Sequence, residues 1–163
     1  MRNYFDLGDY SRKVSENKLS QTWFDRGMVW LFAYNHEEAI SCFEKAIEAD
    51  QKCAFAYWGI AYAVGPNYNK HWEVFTPNEK GPVLEKAHKF IKTGLGLPGL
   101  PVLEKKLLEA LSLRYPENPT IEDFQPYSDA FAGAMKPVHQ EYSDDLDLVC
   151  IYVEALMNRT PWR

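Results

Sequence analysis

The chain has 163 residues, 46% of them hydrophobic and 25% charged, with 18 basic against 23 acidic side chains and a formal net charge of −5. That is enough apolar material for one domain with its own core, and too much for a disordered chain. Lys and Arg are scattered among the acids, which argues against a nucleic-acid surface, and no run approaches the roughly 20 apolar residues of a membrane span.

The opening, MRNYFDLGDYSRKVSENKLS, has no apolar run after Arg2 and does not read as a secretory signal, so a cytoplasmic protein is expected. Residues 1–19 read as an extended segment and residues 20–163 as the folded domain. Cys42, Cys53 and Cys150 form no CxxC pair, which points away from a disulfide framework and from a structural zinc site. All three are expected as small core residues, and no cofactor or metal is expected.

The first helical hairpin is predicted over TWFDRGMVWLFAYNHEEAISCFEKAIEADQ. Trp23, Gly27, Trp30, Ala39, Phe43 and Ala46 follow the W-x2-L-G-x2-Y, then A-x3-F-x2-A spacing of a tetratricopeptide repeat, with Arg26 in the leucine slot and Gln51 where proline is usual. Gly27 and Ala39 let two antiparallel helices approach, while Trp23, Trp30 and Phe43 fill the space beside them. Asn35 with Glu38 reads as the cap that opens the second helix.

One ~34-residue period further on, Tyr57, Ala61 and Val64 take the corresponding slots of the next helix. Its partner should begin near Glu73, yet the matching pattern is Ala87, Ile91, Gly94. The stretch from about residue 66 to 80, GPNYNKHWEVFTPNE with its flanks, is therefore an insertion where a repeat normally has a turn of a few residues. PVLEKKLLEALSLRY follows as a helix opened by Pro101, and IEDFQPYSDAFAGAMKPVHQEY as another, with Pro126, Gly133 and Pro137 implying a late start or a kink. DDLDLVCIYVEALM closes the series as half a repeat. The count is about seven helices in an all-α solenoid of helical hairpins.

Taken together, YFDLGDYSRKVS, WFDRG, YNHEEAISCFEKAIEAD, AYWGIAYAVGPNYNKHWEVF and VEALMNRTPW resemble a family of bacterial and fungal tetratricopeptide-repeat proteins of unassigned biochemical function. Members of that family are usually several hundred residues long, so the resemblance implies that this chain corresponds to the front portion, and it supplies no catalytic residue.

In such solenoids the first helix of each hairpin lines a concave groove. With Trp23, Gly27 and Trp30 committed to their partner helix, Phe24, Met28 and Leu31 are expected on the groove face, and Phe55, Trp58 and Tyr62 on the next helix. So many aromatics need a cover. Three occupants fit: the chain's own N-terminal segment with Tyr4, Phe5, Leu7 and Tyr10; an apolar or aromatic segment of a partner protein; or a small molecule capped by the insertion. A clamp for a terminal carboxylate would need Lys, Asn and Arg where Phe24, Met28 and Gly59 stand.

In the insertion, Gly65 and Pro66 end a helix and Asn67 and Asn69 suit turns. Tyr68, Trp72 and Phe75 are either a plug against neighbouring helices or, with Asn67 and Asn69, a polar lip over the groove. His71 is the one candidate proton-transfer group, since no histidine falls in a metal-ligand spacing and there is no phosphate loop or nucleophile elbow. The expected function is a protein-interaction scaffold that binds an apolar or aromatic segment; the alternative is an accessory protein or weak catalyst in small-molecule metabolism using the groove and the insertion. The last helix is apolar on more than one side, which predicts self-association through it or a longer parent chain.

Overall fold

The computed structural model describes residues 6–160. Among these residues the fold is all-helical, with α1 Lys18–Phe32, α2 His36–Ala49, α3 Ala54–Ala63, a 3-10 turn at Trp72–Val74, α4 Pro77–Leu95, α5 Val102–Ser112, α6 Gln125–Glu141 and α7 Leu146–Met157. Each helix packs on its successor in the chain, and α3 also touches α1 and α5. No helix of the described residues is long and apolar enough to cross a membrane.

Local chemistry sets the boundaries. The Asn17 side chain accepts from the amides of Leu19 and Ser20 and starts α1. Tyr34, at φ 59, takes the left-handed conformation that lets the chain reverse, and Asn35 then caps α2 by accepting from Glu38 N. Thr76 and Glu79 form a reciprocal capping box that opens α4. Pro101 precedes α5, and α6 runs on through Pro137.

The first two hairpins meet around Phe43. A Cβ on Gly27 would stand 2.5 Å from Phe43 Cε1 and one on Gly59 2.6 Å from Cε2, so the ring is held between two backbones that only glycine allows so close. The insertion is a plug. Trp72 and Phe75 are buried, and Trp72 stacks on Phe124 at 4.5 Å and meets Tyr115 edge-on. The Tyr115 hydroxyl donates to Ala61 O at 2.5 Å.

Several expectations are corrected here. Phe24, Met28, Leu31, Phe55, Trp58 and Tyr62, expected on a groove face that needs a cover, are all buried, whereas Trp23 and Trp30, expected to be committed to the partner helix, are only half-buried. The reason is that α3 has no solvent side: all ten of its residues are buried, between α1, α2, α4 and α5 and under segments far away in sequence. Cys42 and Cys53 are buried as expected, but Cys150 is exposed on α7.

Candidate functional site

Part of what covers the groove is the N-terminal segment. Residues 6–17 cross α1 as an extended strap held through its main chain. Gln21 accepts from the amides of Val14 and Ser15 at 2.9 and 3.2 Å and donates to Arg12 O, while Asp25 accepts from Arg12 N at 3.0 Å. Gln21 and Asp25 stand one turn apart on α1, so a single helix face reads the backbone of a passing strand. The strap's side chains reach across to α7. The Arg12 guanidinium binds Asp145 at 2.7 and 2.8 Å and Asp147 at 2.9 Å, and lies 4.9 Å above the Phe55 ring. The Tyr10 hydroxyl donates to Asp147 at 2.7 Å, and its ring meets Phe32 edge-on. Burial opposes the charge on Asp145, but the Arg12 guanidinium outweighs it and holds the carboxyl below its ordinary range. Tyr4 and Phe5 lie outside the described residues.

Two turns beyond Asp147 on the same side of α7, Glu154 faces the rest of this groove. There the ends of α1 and α7 leave a cleft of about 350 Å³ lined by Leu31, Phe32, Val149, Val153 and Met157, with Glu154 as the one charged residue in its wall. The Tyr62 hydroxyl donates to the Glu154 carboxylate at 2.6 Å, Tyr68 N lies 3.4 Å away, and the Tyr34 hydroxyl is within hydrogen-bonding reach. Burial, and then the Glu154 charge, push the Tyr34 phenol up to about 12, and the same two causes raise Tyr62 well above its ordinary value. Both phenols therefore stay protonated donors at neutral pH.

Glu154 has no ion-pair partner among the described residues. Arg114 is close but sealed off: it is 1% exposed, sandwiched at 5.0 Å from the Tyr62 ring and 5.1 Å from Phe131, and it donates to Pro66 O. His36 has its pKa lowered by burial, against the pull of Glu154, so it is neutral near pH 7. The carboxylate is thus fixed by neutral donors and open to the cleft.

Of the residues singled out from the sequence, Leu31 and Tyr62 line this cleft and Tyr68 borders it through its amide, while Phe24, Met28, Phe55 and Trp58 form the floor beneath strap and cleft. Asn67 holds the insertion's turn, its side chain accepting from the amides of Asn69 and Lys70 at 2.9 and 3.0 Å; Asn69 itself is exposed. His71 points elsewhere, into a very small cavity with Trp72, Ser128 and Asn158. A wider depression of about 750 Å³ lies between the start of α2, the insertion and α4, but its Lys70 and Glu79 satisfy each other at 2.8 Å.

The chain matches no protein-family model, no curated protein and no solved structure. The likeness to tetratricopeptide-repeat proteins accordingly rests on the motif positions in the sequence.

Sequence reasoning passed over Gln21, Asp25, Asp145, Asp147 and Glu154. The spacing of Gln21 and Asp25 along α1, and of Asp147 and Glu154 along α7, was readable as polar residues sharing one face of otherwise apolar helices. What no spacing conveys is that α7 and the strap meet across α3.

Proposed function

We propose that the protein is a tetratricopeptide-type scaffold that binds an extended peptide segment in the groove between α1, α3 and α7. The observation that carries this reading is the strap. Residues 12–15 lie in the groove as a peptide ligand would, with Gln21 and Asp25 contacting main-chain atoms and the acids of α7 taking a side chain. Main-chain contacts give affinity for any extended segment, and side-chain pockets then select among them. The strap uses only one half of the groove; the cleft at Glu154 is the half that remains accessible, and its volume lies at the lower end of the usual range for binding sites.

The test is a peptide-array screen with the full chain, followed by titration of the best binders against wild type and a Val153→Glu, Met157→Glu double variant. Both side chains are exposed on the cleft rim, so the variant should keep its helical content. Binding should fall by more than about tenfold. Equal binding by the two proteins, or no peptide selected, would remove the scaffold reading.

A further inference from the structure

We infer that Glu154 is a cation anchor and that the segment taken by the cleft carries an arginine or lysine beside an apolar residue. This rests on the reading of the groove as a peptide site. Asp147 on α7 and its capping residue Asp145 show what carboxylates at this groove hold when it is occupied: the Arg12 guanidinium, bound in a fork and laid on an aromatic ring. Glu154 stands two turns beyond Asp147 on that helix with no such partner among the described residues.

The tyrosine hydroxyls of residues 34 and 62 are donors that cannot neutralise the Glu154 carboxylate, the buried Arg114 donates to Pro66 O between two aromatic faces and forms no ion pair with it, and His36 is neutral. A half-buried carboxylate in an apolar wall gains most from an incoming cation, and the tyrosines hold it in a fixed position to receive one. Val149, Val153 and Met157 make the cleft apolar around that one charge, so a bare ion or a polar cation would leave most of the surface uncovered, whereas a basic residue with an aliphatic neighbour covers both. The groove would thus read two basic residues in succession, its own Arg12 at Asp145 and Asp147, and a partner's at Glu154.

The probes are Ac-Ala-Leu-Arg-Leu-Ala-NH2 and the same peptide with citrulline, which keeps the shape and removes the charge, each titrated into the 163-residue chain by NMR. The arginine peptide should shift amides of α7 and the end of α1 and bind about tenfold more tightly than the citrulline peptide. Glu154→Gln should bring that ratio to about one with little effect on the citrulline peptide. Met157→Trp, which fills the cleft and keeps the carboxylate, should weaken both, and unchanged binding of the citrulline peptide shows that Glu154→Gln keeps its fold. Equal binding of the two peptides to wild type, or a preference that survives Glu154→Gln, would overturn the anchor while leaving the peptide groove standing. No cleft shifts with either peptide would instead overturn the groove reading on which it rests. If n-butylguanidinium alone saturates the cleft as tightly as the arginine peptide, the site belongs to small cations and the segment proposal fails.

Discussion

At the position of Phe43 two glycines from different helices leave room for one ring and nothing more. Gly59→Ala puts a methyl group where Phe43 Cε2 would be 2.6 Å away, and the ring is already in contact with Phe24. Chemical denaturation should show a loss of about 1–3 kcal/mol, the usual scale for overpacking, and Phe43→Leu in the same chain should recover part of it. Trp58 tests the other correction. Had it faced an open groove, truncation would have left stability almost untouched; fully buried and stacked on Tyr62 at 4.7 Å, Trp58→Ala should cost about 3–5 kcal/mol. The contrast between Gly27 and Trp58 shows what the sequence could and could not convey. A glycine in a repeated slot announces a close approach to its own hairpin partner, which lies nearby in sequence. The strap's Arg12 lies over Phe55 and Glu154 of α7 binds Tyr62, the two rings that flank Trp58, and no local pattern encodes either contact.

For the elements, boundaries that depend on nearest neighbours were legible at Asn35 and Pro101, which stand where a cap and a first turn need them, whereas α4 begins at Pro77, inside the stretch to about residue 80 read as insertion, because the Thr76–Glu79 capping box was passed over. The insertion was legible as an interruption of the period, and its aromatics as too large for a passive turn, but a plug and a polar lip both fit the sequence, and the burial of Trp72 and Phe75 decides for the plug. The strap's path was one of three options, and its anchors were not foreseen. Arg12→Ala removes charge-assisted bonds to two half-buried carboxylates, which should cost about 2 kcal/mol and make the segment around Lys13 a protease site, with the helical signal unchanged. The effect has a pH signature. Asp145 is held below the ordinary carboxyl value of 3.8 in the folded chain, so the stability it contributes is present above that value and is lost as pH falls through the lower folded one. The difference in urea midpoint between wild type and Arg12→Ala should therefore be largest near neutrality and shrink below about pH 4. A constant difference down to pH 2 would separate the strap's stability from this ion pair.

Across the whole molecule the tyrosines form a second set of titrating groups. Tyr34 and Tyr115 are pushed up to about 12, mainly by burial, and burial also lifts Tyr10 and Tyr62 above the ordinary value of 10.0. In the unfolded chain all of them lose their protons near that ordinary value. Folding stability is then complete below it and declines as pH rises from about 10 towards 12, since only the unfolded state ionises freely in that window. Absorbance at 295 nm and helical ellipticity recorded together should show the buried phenolates appearing with the loss of helix; a full set of phenolates with the helix intact at pH 11 would contradict the burial of Tyr62 and Tyr115.

The strap's grip on α7 also bears on how fast the protein folds. Helices that follow one another in the sequence pack on each other, so their contacts close short loops and can form early. The bonds from Arg12 to Asp145 and from Tyr10 to Asp147 join residues 133 and 137 positions apart, so they close a non-covalent ring around nearly the entire chain. Closing that ring costs the entropy of a very long loop, and it yields nothing until α1 and α7 are already in place. Helix formation and pairing should thus be fast and the seating of the strap last. Once seated, the strap ties α7 down, and opening that helix requires breaking contacts made by residues 133 and 137 positions away in the sequence.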